Sequence, residues 1–389
     1  MANFRRGIRA ASWQTQIHPI KGDIMSLPSV TIGKHTIKHP IIQGGMGLGI
    51  SWDKLAGSVS KSGGLGVISA VGTGYYEDQK FASKSISGRP YEAQGFYSKE
   101  GLHAIIKNAR KICGDAPLAV NALYASNDYS RMVKDACEGG IDIIITGAGL
   151  PTNMPEFIEG YPDVALVPIV SSAKALKIIC KRWKQRYGRL PDAIIVEGPK
   201  SGGHQGFTYE QCLQEEYQLE NLIPSIVEEA KKWGDFPIFA AGGIWDNRDI
   251  RIVMALGANG VQMGTRFIGT HECDASDEFK QVLLRSKEED IQLLKSPVGY
   301  PARGIRTPLI EAVAKREGPA IKCISNCVSP CQRGKEAREV GYCIADRLAD
   351  AYQGKEETGL FFTGANGYRL NEIISVEALM DLLVHGEKA

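Results

Sequence analysis

Eight short runs rich in β-branched and other apolar residues recur between residues 40 and 263, each separated from the next by a longer stretch, several of them with helical patterning. This alternation constrains the fold more than any other feature of the chain. The runs are 40–43 (PIIQ), 65–69 (LGVIS), 118–123 (LAVNAL), 141–146 (IDIIIT), 165–171 (ALVPIVS), 193–197 (AIIVE), 237–241 (PIFAA) and 260–263 (GVQM). Helical spacing is legible at 52–60, 129–137, 173–184, 221–233 and 247–256. Near-continuous apolar strands joined through helices belong to a parallel sheet covered on both faces, and eight of them close on themselves. The expected fold is therefore an α/β (β/α)8 barrel of the TIM type.

A single barrel needs roughly 250 residues, so the 389 residues here leave room for additions. The expected organisation is an N-terminal extension over 1–27, the barrel over 28–276 and a mostly helical extension over 277–389 packed on the barrel. The connection between the second and third runs, 70–116, is far longer than the usual handful of residues, and it carries Gly72, Gly74, Tyr75, Tyr76 and Tyr97. It is a candidate substrate lid.

Charge excludes some partners. Lysine and arginine number 46 against 44 acids, for a net charge of +2, and no long run of one sign interrupts the balance. Neither nucleic acid nor a membrane surface is expected as partner. Arg5, Arg6 and Arg9 with the single acid Asp23 look superficially like a targeting peptide, but no apolar core follows them. Every hydrophobic run is too short to span a bilayer. A cytoplasmic protein acting on a small molecule is expected, with a homodimer left open.

In a barrel of this type chemistry sits at the carboxyl ends of the strands. Those ends are rich in glycine: Gln43-Gly44-Gly45-Met46-Gly47, Thr146-Gly147-Ala148-Gly149, Ser201-Gly202-Gly203-His204-Gln205-Gly206, Ala241-Gly242-Gly243 and Met263-Gly264-Thr265. Any one of these reads as an ordinary turn. Gathered at corresponding ends, they let backbone amides approach a flat ring or a phosphate. Gly242, Gly243, Gly264 and Thr265 follow the last two strands, where such barrels commonly hold a phosphate. Arg266 either joins that cradle or closes the last turn with a salt bridge.

Taken together, the segments PIIQGGMG, GGLGVIS, VNAL, ITGAGLP, PIVSS, SGGHQG, AAGGI and QMGTRF, spread from Pro40 to about Thr270, make the chain resemble the nitronate monooxygenase (2-nitropropane dioxygenase-like) family. That family's relatives include flavin-dependent enoyl-acyl carrier protein reductases. The resemblance implies FMN at the barrel mouth, with Gly45 and Met46 against the ring and Asn121 and Ser171 bonding its polar edge or ribityl chain. It places Gly202 and Gly203 close to the flavin, Gln43 as a further contact, and His204 beside the flavin as the catalytic residue, which would deprotonate a nitroalkane or bind the nitronate anion.

The implied activity is oxidation of alkyl nitronates with O2 to carbonyl compounds and nitrite. The form QGGMG at residues 43–47 is closer to the reductase branch, where NAD(P)H would reduce the flavin and an enoyl thioester would accept the hydride. A flavin-binding subunit without turnover would leave His204 unexplained. Lys200 offers an anionic substrate a charge, although a solvated loop lysine is the plainer reading.

One cluster remains. Cys323, Cys327 and Cys331, with Cys343 twelve residues on, could hold an iron–sulfur cluster or zinc. Their spacing fits no standard pattern, so no metal ligand is assigned.

Overall fold

The computed structural model describes residues 27–77, 96–319, 321, 327–329 and 341–386. The N-terminal arginines, residues 78–95 of the lid candidate, and Cys323 and Cys331 of the cysteine cluster lie outside the described residues.

Two short strands, β1 (Val30–Ile32) and β2 (His35–Ile37), form an antiparallel hairpin ahead of the barrel. The barrel strands are β3 (Ile41–Gln43), β4 (Gly66–Ser69), β5 (Leu118–Leu123), β6 (Ile143–Gly147), β7 (Ala165–Val170), β8 (Ile194–Glu197), β10 (Ile238–Ala241) and β11 (Gly260–Met263). All eight expected runs are strands, and they pair in parallel in the order β3-β11-β10-β8-β7-β6-β5-β4. The seam between β3 and β4 is closed by Gln43 N–H donating to the Leu65 carbonyl and Leu65 N–H donating to the Ile41 carbonyl, both at 2.9 Å. The α/β barrel expected from the alternation is thereby present.

Side chains alternate across a strand, and the alternation sorts the barrel into two packed regions. Ile42, Val67, Ala119, Ile145, Val167, Ile195, Phe239 and Ala241 pack against one another in one cluster, joined by Ile32 and Ile37 of the hairpin. Residues of the opposite parity, such as Ile41, Ile68, Val120, Ile144 and Val196, pack in a second cluster with the surrounding helices.

Those helices begin where a side chain can satisfy their free amides. Ser98, Ser172, Asp246 and Ser276 cap the helices Lys99–Cys113, Ala173–Tyr187, Asn247–Ala255 and Asp277–Arg285. Lys99–Cys113 lies inside the stretch that sequence treats as one long connection. It is the second barrel helix, with Leu102, Ile105, Ile106 and Ala109 buried, so the connection proper is shorter than expected.

Among its described residues the regular structure of the C-terminal extension over 277–389 is mostly helical, as expected, but beyond residue 285 it also contains strands. The chain first forms a β-hairpin, β12 (Ile291–Lys295) and β13 (Pro301–Ile305). Its second strand pairs with the two-residue strand β9 (Gly203–His204) in the loop after β8, matching Ala302 with His204 and Arg303 with Gly203. Helices Pro308–Ala314, Ile344–Tyr352 and Val376–His385 follow. Among the described residues no helix is long and apolar enough to cross a membrane.

Candidate active site

The carboxyl ends of the barrel strands converge through short contacts among the residues singled out from sequence. A β-carbon at Gly45 would stand 2.4 Å from that of Asn121, so only glycine lets the loop after β3 lie against β5. On the other side of that loop, a β-carbon at Gly264 would lie 3.3 Å from the Met46 sulfur. Gly242, at φ +101°, packs against the Gly198 carbonyl and the Ser201 amide, and Gly243, at φ +80°, packs against the Lys200 side chain. Gly206 packs against the Ser171 hydroxyl. Gly44 is buried against Gln262.

Not all of these groups are free to bind something. Gln43 is fully buried, and both ends of its amide serve the backbone: Oε1 accepts from Val67 N–H at 3.1 Å, and Nε2 donates to the Gly44 carbonyl. It therefore stitches β3 to β4 and shapes the loop. Thr265 Oγ1 accepts from Gly364 N–H at 2.8 Å. Gly202 faces the Thr363–Gly364 backbone, where a β-carbon would meet Thr363 C at 2.7 Å, and Gly203 faces the Phe362 ring. The segment around 361–366 thus crosses the rim of the barrel. Asn366 Nδ2 donates to the Gly243 carbonyl at 2.7 Å, and Ala365 N–H donates to the Lys200 carbonyl at 3.0 Å. Arg266 stacks its guanidinium on Trp245, 5.0 Å from the ring centre.

Other polar groups are unoccupied. Among the described residues, the Asn121 carboxamide and the Ser171 hydroxyl have no hydrogen-bond partner, and neither do the backbone amides of Gly243 and Gly264. Two polar residues that sequence did not single out join them. Glu197 ends β8 and Gln262 is the last residue but one of β11, with the same strand parity as the inward-facing Ile195 and Gly260, so they top the barrel interior beside Asn121. Gln262 Oε1 is buried without a partner. Burial pushes the Glu197 carboxyl up to about 7, opposed by the nearby Ser201 hydroxyl. The signal was present in both strands: a polar residue on the inward parity of an otherwise apolar run.

His204 is half-buried on β9. Its Nε2 lies 2.7 Å from the hydroxyl of Ser296, and its ring meets Phe362 edge to face at 5.4 Å. Burial lowers the imidazole from the usual 6.5 to about 4, so the ring is neutral at physiological pH. Its Nδ1 has no protein partner among the described residues and is not sealed from solvent.

These residues suit a flat, polar-edged cofactor bearing a phosphate. Unpaired carboxamide and hydroxyl groups face one region, glycine loops leave room for a ring, and two unengaged amides follow the last two strands. Among the described residues no group of three or more His, Cys, Asp or Glu side chains could hold a metal.

Fold and rim together are those of a cofactor-binding (β/α)8 barrel, and the family match makes it an oxidoreductase of the flavin-dependent class. The chain belongs to the nitronate monooxygenase family, whose pattern matches residues 28–386. It is 30% identical over 306 residues to a probable nitronate monooxygenase of Staphylococcus aureus (strain JH9), covering 73% of this chain and 79% of that protein. Its fold is similar to that of FabK from Thermotoga maritima, at TM-score 0.66 and 26% identity over 89% of this chain and 92% of the other. It is also similar in fold to a nitroalkane oxidase from Streptomyces ansochromogenes, at TM-score 0.64 and 19% identity, covering 89% and 95%.

Proposed function

We propose that this chain is an FMN-dependent nitronate monooxygenase, converting alkyl nitronates and O2 to carbonyl compounds and nitrite. The observation that carries the reading is a neutral imidazole with one ring nitrogen unengaged, on a strand that the C-terminal hairpin holds beside the glycine-lined mouth. A nitronate is already an anion, so it needs a hydrogen-bond donor and a dry pocket more than it needs a strong base. His204 supplies the first, and Phe362 helps to supply the second.

Asn121, Ser171, Glu197 and Gln262 would hold the polar edge and ribityl chain of FMN, with Gly45 and Met46 beside the ring. The amides of Gly243 and Gly264 would take its phosphate. Bound flavin supplies the one-electron oxidation of the nitronate and the reduction of dioxygen. The protein positions the anion against it and excludes water.

The test is nitrite release when propyl-2-nitronate is added in air to the yellow protein, with the nitroalkane itself a much poorer substrate. The glycine pair in Gln43-Gly44-Gly45-Met46 supports a second reading, an NAD(P)H-dependent reductase of enoyl thioesters. Flavin that NAD(P)H bleaches without oxygen and an enoyl thioester reoxidises, with no nitrite from any nitronate, would replace the first reading by the second. A yellow protein inert in both assays would mark a binding subunit.

A further inference from the structure

Ser296 follows β12 in the C-terminal hairpin and is 4% exposed. Among the described residues its hydroxyl oxygen has two neighbours able to hydrogen-bond. The Val298 backbone N–H donates to it at 3.4 Å, and His204 Nε2 lies 2.7 Å away. Val298 occupies a lone pair, so the hydroxyl proton needs an acceptor, and among the described residues His204 Nε2 is the one within reach. If Nε2 carried the ring proton it would donate to the second lone pair of the hydroxyl oxygen, and the buried hydroxyl proton would have no acceptor among the described residues. A buried donor left without an acceptor is the arrangement that folded proteins avoid most consistently.

We propose that Ser296 is a positioning residue that fixes His204 as the neutral tautomer protonated on Nδ1, so that the imidazole meets the substrate as a hydrogen-bond donor to an anionic oxygen. The lone pair on Nε2 is engaged by the serine. The nitrogen left accessible carries a proton and cannot accept one from a carbon acid. Through this contact the C-terminal hairpin decides which form of the substrate the barrel can use: the preformed nitronate and not the neutral nitroalkane. This last step rests on the nitronate reading above, whereas the tautomer does not.

The tautomer can be read directly in the flavin-loaded protein labelled with ¹⁵N-histidine. Two-bond ¹H–¹⁵N correlations distinguish the protonated from the unprotonated ring nitrogen, and the His204 signals are those lost in His204→Gln. Nδ1 protonated and Nε2 unprotonated is the expected result; the reverse pattern overturns the proposal. Ser296→Ala should shift the ring towards the Nε2-protonated form, and Ser296→Thr, which keeps the hydroxyl, should not. An unchanged tautomer in Ser296→Ala would remove the serine from the account.

In turnover, Ser296→Ala should raise KM for propyl-2-nitronate about tenfold while kcat changes less than about threefold, as for loss of ground-state positioning. Absence of nitrite from the wild-type protein with the expected tautomer in place would defeat the nitronate reading and leave the role of Ser296 standing.

Discussion

At the scale of single residues, two half-buried groups in the candidate site have their proton equilibria displaced in opposite directions. His204, lowered from 6.5 to about 4, refuses a proton that the unfolded chain accepts. Its contribution to stability is therefore complete above pH 6.5 and is lost as pH falls through 4. Glu197, raised from 4.5 to about 7, keeps a proton that the unfolded chain releases, so its contribution is complete below pH 4.5 and is lost as pH rises through 7. Glu197→Gln removes the second effect. It should raise the melting temperature by about 2–4 °C at pH 8 and hardly at all at pH 5. An equal gain at both values, measured by scanning calorimetry, would show that the carboxyl is ionised without cost. His204→Ala removes the donor without disturbing a strand interior, and kcat/KM for a nitronate should fall about 100-fold. His204 was legible in sequence because it follows two glycines at a strand end. Ser296 was not, because 92 residues separate it from the ring that it contacts.

Elements show the same division. The barrel strands could be read from local composition because each is buried on both faces and must be apolar over most of its length. Close approach between elements could not be read. A β-carbon at Gly66 would stand 1.8 Å from the Ala56 carbonyl oxygen, so β4 and the helix Asp53–Lys61 touch backbone to backbone with no room for a methyl group. Gly66→Ala should destabilise the protein by about 3 kcal/mol or more, visible as a lowered melting temperature or loss of soluble protein. The start of that same helix is held from far along the chain: Asp274 accepts from the amides of Trp52, Lys54 and Leu55 at 2.8, 3.2 and 3.2 Å. Burial pushes the Asp274 carboxyl up to about 7, so part of this cap's strength is offset by its own desolvation. Asp274→Ala should cost about 1–2 kcal/mol, within the range of other helix caps, and thermal denaturation of the variant would show it. Strands β12 and β13 escaped the sequence reading because IQLLK and PARGI lack a clean alternation, and β13 also contains proline and glycine. Their pairing partners supply the stability that local propensity does not.

Across the whole molecule, the C-terminal part of the chain completes the rim of the barrel. Strand β13 pairs with the strand carrying His204, the Gly364 amide bonds Thr265, Asn366 bonds the Gly243 carbonyl, and Arg369 pairs with Asp246 while stacking on Trp245. These contacts fall on the glycine loops after β8, β10 and β11, so flavin retention should depend on them. Thr265→Val keeps the volume but removes the acceptor for Gly364, leaving that amide unpaired. The flavin-loaded variant should lose its cofactor several-fold faster on dilution, followed by the recovery of flavin fluorescence. An off-rate matching the wild type would separate this closure from cofactor binding.

The alternation of short apolar runs with helical stretches was enough, without coordinates, to specify an eight-stranded parallel barrel. The glycine-rich strand ends singled out the rim at which we propose that the cofactor binds. Both are local properties: burial on two faces demands apolar strands, and close backbone approach demands glycine. Tertiary structure alone decided which unpaired groups face one another, that a distant hairpin supplies the hydroxyl beside His204, and that Glu197 and Gln262 top the barrel interior. Those outcomes depend on pairings between residues far apart in the chain, and hydrogen-bond satisfaction across such pairings leaves no trace in local composition or periodicity.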